Sequence, residues 1–216
     1  MGKRKRTGKT EAGQAQPALA EGRTRWIAGL RHPAAHAAAL ALLGLGAYWR
    51  SLRNLFASDD LYQLFGNPLV RDWRNVWTLF TQSVWAFLPD MPTNYYRPLH
   101  LVIYAGVYWF FGYAPYSYHL LMVLAHAAAT VLIYLLARKA LGDWRGALLA
   151  GALFAVHPIH SEAVMWVASV PDLFMTVFVL GGLYLFARAD GHPGPGSIVG
   201  IVLLYLAALL TKETAR

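Results

Sequence analysis

Long apolar runs, broken by short polar or Pro/Gly-rich segments, organise this chain. Ala34–Trp49 is the first run, flanked by Arg31 and Arg50. It is short for a membrane span, but arginines at both ends can snorkel to the headgroups and extend it. Tyr118–Ala137 is a full-length run that ends at Arg138 and Lys139. Gly146–Val156 follows and is interrupted by His157-Pro158-Ile159-His160. Ser161–Ser169 reads as a short helix that Pro171 breaks, and Leu173–Ala187 then runs on to Arg188. Asp190–Ser197 is a Gly/Pro turn, and Ile198–Leu210 is the last run. None of these segments alternates with the period of a strand, so the pattern predicts helices.

Two further segments are aromatic rather than simply apolar. In Asp72–Ser83, the spacing of Trp73, Val76, Trp77 and Phe80 predicts one helical face. Leu99–Phe111 would make only about 20 Å of helix, against a hydrocarbon core of roughly 30 Å. With Tyr104, Tyr108 and Trp109 inside it and Tyr113, Tyr116 and Tyr118 after it, this segment favours the interface. We therefore read 98–112 as interfacial or re-entrant.

Composition sharpens the class. Hydrophobic residues make up 57% of the 216 positions and charged ones only 14%. That charge content is below the roughly 25% of soluble domains. The expectation is an all-α polytopic membrane helix bundle of about five spans, with interfacial helices in the first outer loop. With no cysteine, disulfides and thiolate metal sites are excluded. Net charge is +8, and much of it precedes the first run: Lys3, Arg4, Lys5, Arg6, Lys9, Arg23, Arg25 and Arg31. Such an arm beside a membrane helix is a positive-inside signal, so the N-terminus is expected in the cytoplasm and no nucleic-acid partner is expected. Gly2–Thr10 reads GKRKRTGKT, but its glycines are spaced one residue too far apart for a phosphate-binding loop, and no strand precedes it. The chain thus divides into a basic cytoplasmic tail, 1–31, and a membrane domain, 32–216, with a long outer loop at 53–97.

In that topology several unusual polar groups fall on the face opposite the tail. Ionisable groups near membrane depth are expensive and mark candidate functional sites. The adjacent pair Asp59-Asp60 repels, so one carboxyl is expected to hold its proton more tightly and to act as a base or to bind a cation. A solvated pair or a helix cap is the alternative. Arg97 suits a phosphate, and Tyr95 and Tyr96 suit a sugar or the interface. His157, His160 and Glu162 form a set that a divalent metal accepts, although three ligands so close in sequence are geometrically awkward. Asp172 either caps the helix after Pro171 or completes an acidic site with Asp59 and Asp60. Lys212-Glu213 closes the series as an interfacial pair or part of the site.

The order of these motifs carries a resemblance. DD, then NYYRPL (Asn94–Leu99), YHLLMVLAHA (Tyr118–Ala127), LFAVHPIHSEAVMWVASVPDLF (Leu153–Phe174) and KE resemble the membrane domain of the transmembrane and tetratricopeptide-repeat-containing (TMTC-type) O-mannosyltransferases and their bacterial relatives. These belong to the GT-C class of glycosyltransferases. The resemblance covers roughly residues 40–213. It implies transfer of a sugar, mannose in the family, from a polyprenyl-phosphate donor to a protein or glycan acceptor on the non-cytoplasmic face. It implies a bacterial inner-membrane protein, with Asp59 or Asp60 as the catalytic acid. Arg97 and Lys212 would hold the lipid phosphate, with no certain cofactor and a divalent metal left open. One departure is Ser169-Val170-Pro171-Asp172, where the family often shows Gly-Arg-Ala-Asp; the arginine is missing. The family's membrane domain also continues further and is commonly followed by tetratricopeptide repeats. The expectation is therefore a piece, or a truncated homologue inactive alone. The competing readings are a non-catalytic homologue or structural partner, and a transporter. A transporter would carry acids within its spans and show repeated halves, which this chain does not.

Overall fold

The structure, a computed structural model, describes residues 32–88 and 93–215. The basic tail assigned to 1–31 lies outside the described residues. The chain divides at His36/Ala37 into two units, and everything said below about packing concerns the second.

Among the described residues every regular element is helical. Helix α1 is Pro33–Tyr48 and leads into a 3-10 turn at Trp49–Arg53. Short turns then carry the chain through the 53–97 segment: Leu61–Gly66, Pro68–Arg71 and Trp73–Asn75, followed by the single turn α2, Val76–Leu79. Next come α3 (Pro98–Phe111), α4 (Pro115–Leu141), α5 (Trp144–Val156) and α6 (Ser161–Met165). Helices α7 (Val170–Arg188) and α8 (Pro195–Thr211) complete the bundle.

Helices α4 and α7 lie in the two stretches long and apolar enough to cross a membrane, Pro115–Leu141 and Val167–Arg188. A third crossing results if Trp144–Val156 and Pro158–Met165, bent by 45° at His157, count as one. Helices α3 and α8 are apolar but shorter. This supports a multi-pass membrane protein.

Local chemistry explains the boundaries. Five helices, α1, α3, α4, α7 and α8, have proline in their first turn, where the missing N–H costs nothing. Pro171 is one of these. It opens α7, where the sequence pattern suggests a break between 169 and 173. Helix α4 ends at Gly142, whose φ of +66° is the left-handed cap that glycine adopts without strain. Asp143 at once caps α5, its Oδ2 accepting the Gly146 N–H at 2.9 Å. The stretch Asp72–Ser83 departs from the single amphipathic helix expected of it. Asp72 accepts the Arg74 N–H at 2.9 Å and nucleates a 3-10 turn, and only Val76–Leu79 is α-helical. Trp73 and Trp77 are nonetheless exposed together, and Leu79 is buried.

Close packing uses small residues, as is usual between helices in lipid. Leu40 of α1 packs with Tyr134 of α4 and Ala147 of α5. At Gly151 a Cβ would lie 2.7 Å from Leu40 Cδ1 and 3.2 Å from Tyr134 Cβ. At Gly200 of α8 a Cβ would lie 3.1 Å from Leu185 of α7. The main core forms elsewhere, where Leu64, Val70 and Leu79 of the 53–97 segment meet Leu101 and Tyr104 of α3, Met122 of α4 and Leu173 of α7.

The 53–97 segment accompanies α3 along its length. Before its first turn, the Tyr95 carbonyl accepts the Val84 N–H at 2.9 Å. Near its end, Trp109 stacks on Trp73 with centroids 6.0 Å apart. Just beyond it, Tyr113 stacks on Phe65 at 4.2 Å and donates to the Leu64 carbonyl at 3.3 Å. Both ends of α3 therefore meet the same polar and aromatic segment.

Candidate functional site

The acidic pair sits on a tight turn. Ser58, with a φ of +51°, takes the left-handed conformation that costs a non-glycine residue energy. That turn separates the fates of the two acids that follow. Asp60 points inward and is buried, at 1% exposure. Its Oδ2 accepts the Ala57 N–H at 3.0 Å, and its Oδ1 accepts the Ala168 N–H at 2.6 Å. Trp166 reinforces the junction, its indole N–H donating to the Ala57 carbonyl at 3.3 Å. The Tyr104 hydroxyl donates to the Val167 carbonyl at 3.0 Å. One carboxylate thus straps the 53–97 segment to the 166–168 turn ahead of α7. Burial raises its pKa, the two backbone N–H groups oppose that rise, and the neighbouring Asp59 charge adds to it. Asp59 is only half-buried, and its Oδ1 takes a long contact from the Ser58 hydroxyl at 3.4 Å.

A second cluster gathers four charges from three places. Arg97, just before α3, forks onto Glu213: Nε meets Oε2 at 2.7 Å, and Nη2 bonds Oε1. Its guanidinium also lies 4.8 Å from the centre of the Tyr95 ring. Lys212 pairs with Asp172 in the first turn of α7. The fork to Glu213, reinforced by the Asp172 charge, outweighs burial and holds the Arg97 guanidinium above its ordinary pKa. The same fork holds the Glu213 carboxyl down at about 2. Asp172 therefore serves as an ion-pair partner; the N-cap position of α7 is Ser169. Tyr96 is exposed and donates to the Phe80 carbonyl at 2.8 Å.

The histidine motif makes a third group. His157 Nδ1 accepts the Ile159 N–H at 3.2 Å and so caps the turn Pro158–His160. The His157 carbonyl accepts the Tyr48 hydroxyl at 3.0 Å, which ties α1 to the bend. His160 packs on Phe154 at 4.3 Å and near His126 at 5.5 Å. Glu162 is exposed in the first turn of α6. Among the described residues, no three His, Asp or Glu side chains converge as metal ligands.

These contacts bring the end of α1, the 57–60 turn, the 157–168 segment and the start of α7 to one region. The 97–213 and 172–212 pairs join α3 and α8 to that same start of α7. Sequence reading missed Tyr104 and Trp166, which hold the acidic strap. The available signal was weak: a buried Tyr or Trp needs a partner for its polar tip, but its identity is not local. It also missed His100, fully buried against Tyr104 at 4.4 Å with neither ring nitrogen hydrogen-bonded.

Comparison with known proteins gives the relationship. The chain is 36% identical over 180 residues to Protein O-mannosyl-transferase Tmtc1 of Drosophila melanogaster, covering 82% of this chain and 21% of that protein. It is 33% identical over 171 residues to Protein O-mannosyl-transferase TMTC3 of Mus musculus, covering 77% and 18%. It is 31% identical over 196 residues to Protein O-mannosyl-transferase TMTC1 of Homo sapiens, covering 84% and 22%. The chain spans about a fifth of the length of these relatives. No family model matches it, and no solved structure does. With identity of this level across four-fifths of its length, the chain belongs to the TMTC-type protein O-mannosyl-transferase family, as a homologue of the membrane domain.

Proposed function

We propose that this chain is the acid-bearing part of a GT-C-type membrane glycosyltransferase. The enzyme moves a sugar, mannose by analogy with its relatives' names, from a polyprenyl-phosphate donor to a hydroxyl of a protein or glycan. It lies in a bacterial inner membrane, with its N-terminus in the cytoplasm and its acidic pair on the other face. Five crossings give that topology: α1, α4, the bent α5–α6 pair, α7 and α8. Helix α3 lies at the interface.

The observation that carries this reading is the division of labour between two neighbouring acids. Asp60 spends both oxygens on backbone N–H groups. Asp59 stays half-exposed beside it, on the strained side of the turn. Asp59 is then the base and Asp60 its positioning residue. The acceptor oxygen attacks the anomeric carbon as the bond from that carbon to the lipid phosphate breaks. The hydroxyl proton passes to Asp59, and the polyprenyl phosphate leaves with the electron pair. Arg97 and Lys212 neutralise that leaving phosphate, taking it in place of, or beside, Glu213 and Asp172. Tyr95 and Tyr96 flank the sugar, and His157, His160 and Glu162 line the acceptor side.

Membranes containing the protein, supplied with labelled polyprenyl-phosphate mannose, provide the test. Transfer should be lost in Asp59→Asn. Wild-type transfer by that variant would overturn the assignment. Silence of the wild-type protein itself would favour a non-catalytic homologue.

A further inference from the structure

Helices α4 and α7 both begin at the candidate site and run away from it, so their last turns mark the far end of the bundle. There they frame a cleft of about 580 Å³. Its wall is apolar, formed by Leu136, Ala137 and Ala140 of α4 and Ala187 of α7. Its rim is charged: Lys139 meets Asp190 at 2.6 Å. The volume falls within the range of about 300–1,000 Å³ usual for ligand clefts.

We propose that this cleft holds one anionic phospholipid, its acyl chain against the small residues and its phosphate at Lys139. Three observations support that occupant. First, the apolar lining residues belong to the helices long and apolar enough to cross a membrane, so lipid is the solvent that meets them. Second, the charge is complementary. Lys139 is the basic residue of the lining, and Arg188 follows the lining residue Ala187, while Arg138 donates to the Tyr134 hydroxyl at 3.2 Å. Asp143 and Asp190 are the local acids, and Asp143 is engaged as a helix cap. Basic clefts between membrane helices suit anionic headgroups. Third, the Lys139–Asp190 pair is exposed, 40% and 79% for the two side chains. Exposed pairs of this kind are weak and exchange readily. A lipid phosphate can therefore take Lys139 without breaking a buried interaction. Asp190 sits in a turn with a φ of +49°. The alternative is that Lys139 only complements the C-terminal dipole of α4. A cleft of that kind would take lipids without regard to headgroup.

This site is independent of the transfer reaction, and its test does not use activity. The full chain, purified in detergent, is equilibrated with equal amounts of palmitoyl-oleoyl phosphatidylglycerol and phosphatidylcholine, and retained lipid is counted by native mass spectrometry. Wild type should retain phosphatidylglycerol preferentially. Lys139→Gln should lower that preference about fivefold, the contribution of one basic residue near a lipid surface. Asp190→Asn should raise it, and asparagine tolerates the left-handed turn, so the fold is kept. Equal retention of the two lipids by wild type would overturn the proposal. So would an unchanged preference in Asp190→Asn, which decides the matter if Lys139→Gln fails to express. Displacement of the lipid by glycerol phosphate at the same concentration would also overturn it, because the headgroup alone would then account for binding.

Discussion

Arg97 and Glu213 stand 116 residues apart in sequence and meet as a two-pronged ion pair, with Nε 2.7 Å from Oε2. Planar guanidinium and carboxylate match in this geometry, so the pair fixes direction as well as distance. It joins the start of α3 to the second residue past the end of α8.

That join should titrate. The Glu213 carboxyl lies at about 2 in the folded protein, against about 4.3 in an unfolded chain. A depressed carboxyl contributes stability above the unfolded value and loses it as pH falls toward the folded one. Melting of the solubilised protein should therefore weaken between about pH 4.5 and about 2. Glu213→Gln should flatten that part of the profile and lower the melting temperature at pH 7. An identical acid limb in the variant would refute the assignment.

The two adjacent acids should fail in different ways. Asp60→Asn turns one acceptor into a donor facing a backbone N–H. The loss should be about 1–3 kcal/mol of stability, the cost of an unsatisfied buried group. Asp59→Asn should leave stability within error and, in the transfer assay, reduce the rate about 10²–10⁴-fold. Denaturation alongside activity separates the two outcomes, and equal destabilisation by both would contradict the division of labour.

Gly151 should resist enlargement. A Cβ there meets the flexible tip of Leu40, which can move, and Tyr134 Cβ, which is tied to its helix. Gly151→Ala should cost about 1–3 kcal/mol by overpacking. Gly46, where an added Cβ would meet nothing within 4 Å, is the control and should accept alanine. A neutral Gly151→Ala would mean that α1 and α5 pack less closely than described.

The absence of cysteine makes the path of α3 easy to probe. Single cysteines replacing Thr81, ahead of α3, and Tyr116, behind it, are both at exposed positions. An impermeant thiol reagent applied to one side of sealed vesicles should label both from the same side. Labelling from opposite sides would make α3 a crossing and reverse every later helix.

Much of the architecture was legible because apolar periodicity is local. The bounds of α4, α7 and α8 were readable to within a few residues, and Arg138, Lys139 and Arg188 marked the ends of α4 and α7. Pro171 was misread because proline breaks a helix interior but suits its first turn, and the sequence does not say which turn is first. The 72–83 stretch was misread because Asp72 competes for the backbone and starts a tighter turn than the tryptophan spacing suggests. In the candidate site the residue types were visible, but their partners were not. Nothing local to Asp60 names Ala168, and nothing local to Lys212 names Asp172. Which acid is spent on structure and which stays free depends on that long-range pairing.

The strap from Asp60 to Ala168 also orders events during biogenesis. Its two ends are 108 residues apart. At about 5–20 residues per second, the carboxylate emerges roughly 5–20 seconds before the turn that donates to it is made. Throughout that interval it is hydrated, and it gives up water only when the 166–168 turn arrives. The 57–60 turn is therefore among the last parts to set, although it is made well before its partner. A nascent chain released before Ala168 would carry the acidic motif intact and leave it unassembled.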